Sequence, residues 1–330
     1  MLPPVTRRAF APLILLLAFA LGACSSGGDK ELGPAVTIEA LSPTATVPGS
    51  TSTPQPPPAA TPTLPPAGGI TFKPTAIPQG GFAIVYLNEA ASSATMRFEG
   101  RMYPMLNDNN RWWAVIGVGA LIEPGLHPVS ITYTPLGKTA QQSITQSIAI
   151  TDVAFPTEEV ELDDATASLL APDIVNAEIA QRASIYGGFT AQKLWSGPWV
   201  PPAKGSYSDP YGVGRSYNRG PVTDYHRGTD FLGDIGSPVY AAAGGRVVFT
   251  GELKVRGNSI IIDHGAGIFT GYHHLSAIGV EVGDVVKAGA QIGDIGSTGL
   301  ATGPHLHWDV LIRGVEVNGA LFLDGKEFGP

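Results

Sequence analysis

Two polar clusters, set far apart along the chain, restrict its fold more than any other feature. The first is His226-Arg227-Gly228-Thr229-Asp230 and the second is Gly303-Pro304-His305-Leu306-His307-Trp308; six of the seven histidines lie between those ends. Short apolar runs punctuated by glycine separate the clusters, and such runs read as strands. Residues 237–250 and 283–295 each read as paired short strands with glycine at the turns. The run Asn258-Ser259-Ile260-Ile261-Ile262-Asp263 reads as part of a buried sheet that carries the polar clusters.

The spacing carries chemistry. Alternate side chains of a strand share a face, so His226 and Asp230 project together, with Gly228 between them leaving room for a metal or a substrate backbone. His305 and His307, at i and i+2, also share a face. These four side chains compete for three ligand positions, and a His/Asp/His set with an open fourth position describes a catalytic zinc site rather than a structural one. Two neutral imidazoles and one carboxylate leave such a site positive, which lowers the pKa of a bound water. The spare histidine is a proton shuttle or a donor to a developing oxyanion.

The ordered motifs HRGTDF, GSPV, GRVV, IDHG, YHHLS, VGDVVKAG and IGDIGSTGLATGPHLHW closely resemble the lysostaphin-type (LytM-like) zinc metallopeptidases, which cut peptidoglycan peptides. The resemblance covers roughly the last third of the chain. It implies one Zn2+ per chain held by His226, Asp230 and His307, with His274 and His305 flanking the attacking water as general base and transition-state stabiliser. It also implies a barrel-sandwich-hybrid (duplicated hybrid motif) antiparallel β catalytic domain over residues 198–330, with peptidoglycan as its partner. The rivals are a silent envelope lipoprotein that binds and activates a cell-wall amidase, and a lipoyl- or biotinyl-type carrier. Lys287 lacks the Met-Lys signature that a carrier needs.

Upstream, the chain changes character several times. Residues 1–23 read as a bacterial lipoprotein signal peptide: Arg7-Arg8, an apolar run, then Leu21-Gly22-Ala23-Cys24. Cys24, the single cysteine, is the expected lipidation site and membrane anchor, placing the protein on the cell envelope or surface; no intrachain disulfide can form. Residues 24–69 are a Pro/Thr-rich linker that cannot bury a core. Short alternating runs over 70–152 point to an immunoglobulin-like β-sandwich without the disulfide, with Trp112 and Trp113 on opposite faces. Residues 153–197 read as a connector whose acidic run (158–164) is a solvated face. Its short helix over 173–184 carries Ile174, Ala177 and Ile179 as apolar positions and docks on the catalytic module. A net charge of −8, with no basic cluster after the first ten residues, argues against nucleic acid as a partner.

The other polar residues divide by role. Tyr272 and His274 share one strand face, which turns His273 the other way, as a structural or solvent-facing residue. His264 orders a turn or donates to a ligand; Asp309, on the face of His307, is a second support for a ligand. Arg215 pairs with a carboxylate near the site or meets an anionic substrate. Residues 296–303 form a wall of the groove, and His127 is structural. The spacing leaves oligomeric state open.

Overall fold

The computed structural model describes residues 69–329. The expected signal peptide, its expected lipidation site Cys24 and the expected linker up to residue 68 lie outside the described residues. The architecture is mainly β, as the sequence implies.

The chain opens with β1 (Ile70–Lys73), β2 (Ala76–Pro78), β3 (Phe82–Leu87), β4 (Ala91–Phe98), β5 (Arg101–Pro104), β6 (Leu106–Asp108), β7 (Arg111–Gly117), β8 (Gly125–Pro135) and β9 (Gln142–Thr151). These make two sheets, ordered β1-β3-β7-β6 and β2-β9-β8-β4-β5, whose buried residues join one core. Asn109 and Asn110, with φ of 50° and 65°, make the tight turn from β6 to β7. In the second sheet the alternation is plain: Ala94, Met96 and Phe98 on β4, and Val129, Ile131 and Tyr133 on β8, point inward. Strands β3 and β7 are instead buried almost continuously. One face packs on the other sheet and the other face packs on the C-terminal module, so both must be apolar. There Phe82 stacks on Phe322 with ring centroids 4.3 Å apart. Of the two tryptophans, Trp113 is buried, while Trp112 is half-buried and donates its indole N–H to the Ala91 carbonyl at 2.9 Å.

The connector departs from its expected form. Its acidic run stays exposed, as a solvated face, but also forms a strand: β10 (Thr157–Val160) pairs in parallel with β12 (Gly214–Tyr217), where Arg215 meets Glu158 at 2.6 Å and Arg219 meets Glu159 at 3.4 Å. After a short helix, α1 (Asp164–Ala167), comes α2 (Pro172–Tyr186), with Pro172 at its first turn, where a missing N–H costs nothing. This helix buries Glu178, Arg182 and Tyr186, spaced i, i+4, i+8, and leaves Ala177 and Ile179 exposed. The expected apolar stripe is thus replaced by a polar one, because what lies beneath it is charged.

The C-terminal module comprises β11 (Tyr207–Asp209), β12, β13 (Val222–Tyr225), β14 (Thr229–Leu232), β15 (Pro238–Tyr240), β16 (Gly245–Leu253), β17 (Gly257–Gly265), β18 (Ile268–His273), β19 (Ala277–Ile278), β20 (Val285–Val286), β21 (Gln291–Asp294), β22 (His305–Ile312) and β23 (Val315–Val317). The large sheet runs β11-β14-β22-β18-β17-β16-β20, with β23 on β22; a smaller one runs β15-β21-β19. Strand β16 pairs with β20, and β15 with β21. The stretches 237–250 and 283–295 therefore pair with each other, rather than each with itself. Ile260, Ile261 and Ile262 on β17 are fully buried on both faces; each such side chain contributes about 1.5–3 kcal/mol. This stiff centre holds β22 in register between β14 and β18.

Candidate metal centre

Strand register makes the centre. Asp230 on β14 lies directly across from His307 on β22, and His307 lies across from His273 on β18. His226 arrives by another route. It follows β13 and is not on a strand with Asp230, so the shared-face argument fails for that pair. Its backbone is fixed instead by N–H donation to the Val213 carbonyl (2.7 Å), and its carbonyl accepts from Gly212 N–H (2.8 Å). Nor does Gly228 leave space for a metal: a Cβ there would sit 2.6 Å from His307 Nε2, so glycine makes room for that imidazole.

His226 Nε2, Asp230 Oδ1 and His307 Nδ1 converge, with separations of 3.0, 2.9 and 2.8 Å. Among the described residues this is the group of His, Asp, Glu or Cys side chains whose ligand atoms come together. All three residues are buried. His226 Nδ1 donates to the Pro210 carbonyl at 3.0 Å, which turns the lone pair of Nε2 toward the carboxylate. Two electron-rich atoms facing each other in a buried site repel unless a proton or a cation lies between them. Ligand atoms around a tetrahedral ion with bonds of about 2.0–2.1 Å stand about 3.3 Å apart, so small outward shifts admit one. The His/Asp/His donor set therefore fits a divalent transition metal.

Charge reinforces the arrangement. Burial alone would raise the Asp230 pKa, yet the flanking His226 and His307 imidazoles hold its carboxyl well below the usual range. His307 is pushed well below the ordinary imidazole value by burial, then by the Arg256 guanidinium. Arg256 Nη1 lies 2.7 Å from His307 Nε2 and donates to it, leaving the imidazole proton on Nδ1, shared with Asp230; an ion at this position takes that proton's place.

His274 and His305 stand beside the three, with their ring centroids 4.8 Å apart. His274 reaches the cleft differently from the strand alternation expected of it. Strand β18 ends at His273, and His274 adopts a left-handed φ of 61°. It is His273 that shares the face of His307, while Tyr272 points into the opposite core. His273 is fully buried, close to Ser259 Oγ (2.8 Å) and Asp309 Oδ2 (3.2 Å), and so is not solvent-facing. Both flanking histidines donate Nδ1–H to backbone carbonyls, His274 to Thr298 (2.7 Å) and His305 to Gly303 (2.8 Å). That tautomer, assigned from the hydrogen bonds, offers each Nε2 lone pair to the cleft. Burial, and then His305, push His274 down to about 3, which keeps it neutral.

The supporting residues sort unevenly. Asp309 is fully buried and accepts from Arg182 Nη2 at 2.8 Å, with His273 at 3.2 Å and Arg256 Nη2 at 3.9 Å. It thus meets the charges around His307 and not His307 itself. Gly271 is required here, because a Cβ would collide with Asp309 and His273. Arg215 pairs with Asp209 and Glu158, and Asp209 Oδ2 is 3.4 Å from His226 Nδ1, so Arg215 acts through that carboxylate. His264 does not support a ligand. It lies between the Gly244 carbonyl and Thr270 Oγ1 and packs on Trp199, within the hydrophobic core. Asn218 also stays away from the centre, pairing with the Leu162 backbone. His127 bridges Glu99 and the Glu123 carbonyl.

Sequence reasoning missed Asp209, Arg256 and the pair Glu178/Arg182. Glu178 Oε2 accepts from Val255 N–H at 2.5 Å, bracing the residue before Arg256. An i, i+4 Glu/Arg pair in an otherwise uncharged stretch of the helix was the available signal. All of these residues except Asp209 line one cleft of about 630 Å³, which Leu300 and Thr302 also line.

Residues 224–319 match the model of peptidase family M23. This part of the chain is an M23 peptidase domain. The M23 domain is 47% identical over 93 residues to the peptidoglycan DD-endopeptidase ShyA of Vibrio cholerae, covering 28% of this chain and 22% of ShyA. The chain is 41% identical over 110 residues to lysostaphin of Staphylococcus staphylolyticus, covering 33% of this chain and 23% of lysostaphin. The chain thus spans under a quarter of the length of these relatives. A solved structure of a putative M23 peptidase from Pseudomonas aeruginosa aligns with a TM-score of 0.56 at 25% identity, covering 75% of this chain and 95% of that one. That coverage exceeds the M23 domain alone, so the likeness of fold extends into the upstream sheets and connector.

Proposed function

We propose that this chain is a zinc metalloendopeptidase that hydrolyses peptide bonds in peptidoglycan stem or cross-bridge peptides. One observation carries the reading: three ligand atoms converge within 3.0 Å of one another, beside two imidazoles whose Nε2 atoms face the same cleft. His226, Asp230 and His307 would hold the ion, which when bound supplies Lewis acidity to polarise a carbonyl and to acidify the attacking water.

The remaining chemistry belongs to the chain. His274 Nε2 and His305 Nε2 each accept a hydrogen bond from water and orient it. Asp230 Oδ2 lies 3.7 Å from His305 Nε2, within ion-pair reach, whereas burial opposes a proton on His274. His305 is therefore assigned the proton taken from water and returned to the leaving amine, and His274 the orientation of the nucleophile. The relatives named peptidoglycan endopeptidases support the substrate class.

The test is a zymogram of the purified chain on isolated cell walls, with and without chelator. Clearing that the chelator abolishes and added Zn2+ restores is expected. Absence of clearing by the chain alone, with amidase activity stimulated instead, would overturn the reading in favour of an activator. Acylation of Cys24 as the membrane tether is part of the proposal; intact mass of the detergent-extracted protein tests it.

A further inference from the structure

Helix α2 is inside out. Its buried stripe is Glu178, Arg182 and Tyr186, while Ile179 is 54% exposed. A helix normally hides its isoleucine and shows its charges. Here the buried charges are explained: Arg182 and Tyr186 meet Asp309, and Glu178 meets the Val255 backbone. The exposed isoleucine is not explained by packing. Ile179 opens into the cleft of the metal centre, and Val160, Leu162, Leu170 and Val175 line that same wall. None of these four is fully buried. All five come from residues 160–179, upstream of the M23 domain, so the connector supplies a wall that the domain itself lacks.

We propose that this wall is a specificity subsite that takes an aliphatic side chain of the peptide being cut. The inference rests on the peptidase reading. The occupant follows from continuity and contrast. The wall and the metal centre belong to one cleft, so a peptide with its scissile bond at the centre runs along the wall. The arginines that line the cleft beside this wall are paired, Arg227 with Asp224 at 2.9 Å and Arg215 with Glu158 at 2.6 Å. Those charges are already paired, which leaves the aliphatic wall as the surface that gains most from covering. A substrate residue with a charge at this place would lose its hydration without gaining a partner.

The test uses the full-length chain and soluble cross-linked muropeptides released from purified walls. Ile179→Asp and Leu162→Asp are expected to raise KM about tenfold, the scale of a lost apolar contact, with kcat and zinc content unchanged. Ile179→Leu should restore the wild-type KM. Ala180→Asp places the same charge on the same helix, at an exposed position outside the cleft, and should leave KM unaltered. An unchanged KM in both aspartate variants, or an equal rise in Ala180→Asp, overturns the subsite while leaving the peptidase reading intact. A wild-type chain that binds zinc poorly and cuts nothing fails earlier, at the peptidase reading, and takes the subsite with it.

Discussion

Strand β22 and helix α2 line the same cleft by opposite routes. Strand β22 carries its chemistry in its own residues: His305 and His307 sit two apart on one face, and the flanking strands β14 and β18 bring Asp230 and His273 to it by register. Helix α2 offers locally no more than an i, i+4 Glu/Arg pair. Its Glu178 and Arg182 acquire a role only because Val255 and Asp309 arrive beneath them from distant parts of the chain. A motif of ligands is legible because its spacing matches the period of a strand. A polar stripe on a helix is mute until its partners are known.

The comparison can be broken at several strengths. On the β22 side, His307→Ala should abolish zinc retention and hydrolysis together, a loss well beyond the ~10–100-fold typical when only a ligand's supporting residue is removed. Metal analysis beside a wall-clearing assay checks it, and retained zinc with retained activity would contradict the ligand assignment. His274→Ala should keep zinc bound while kcat falls by about 10²–10⁴; full turnover would remove its role. On the α2 side, Arg182→Ala removes the nearest cation from a fully buried carboxylate, leaving it His273 and the more distant Arg256, and should destabilise the fold by up to about 3–5 kcal/mol in denaturant titration. Pairing it with Asp309→Asn should recover much of that loss. Should Arg182→Ala prove neutral, α2 is only resting on the module.

A pH series gives a smaller, separable effect. Burial lowers His264 to about 4 from its ordinary 6.5, so the unfolded chain binds the extra proton first. Stability should therefore decline as pH falls from about 6.5 to about 4 and stay level above that window. His264→Gln should reduce this slope without touching zinc content, leaving the part that the buried His273 and His274 contribute, and a slope unchanged by it would place the titration elsewhere. Smallest of all, Glu159→Gln breaks an exposed pair with Arg219 and should alter stability by less than about 1 kcal/mol.

Legibility follows the same divide. The β character, the turns at Asn109-Asn110 and the buried run at Ile260-Ile261-Ile262 can be read, because period and turn chemistry are local. The clusters around His226 and His307 can be found by residue type and order. The reasons for their geometry cannot: His226 is placed by loop backbone, and His274 reaches the cleft only through a left-handed residue that reverses the strand alternation. His264 reads as a support for a ligand because histidine is polar; the fold gives it Gly244, Thr270 and Trp199 as neighbours in the core. The acidic run at Glu158-Glu159 is a strand because Arg215 and Arg219 lie alongside it.

The most direct test is X-ray absorption spectroscopy at the zinc edge on the full-length chain, with metal stoichiometry measured on the same sample. The account predicts one zinc per chain, bound by two imidazole nitrogens and a carboxylate oxygen at about 2.0–2.2 Å, with remaining scattering from light solvent atoms. Zinc that is substoichiometric, or bound without imidazole, would contradict it.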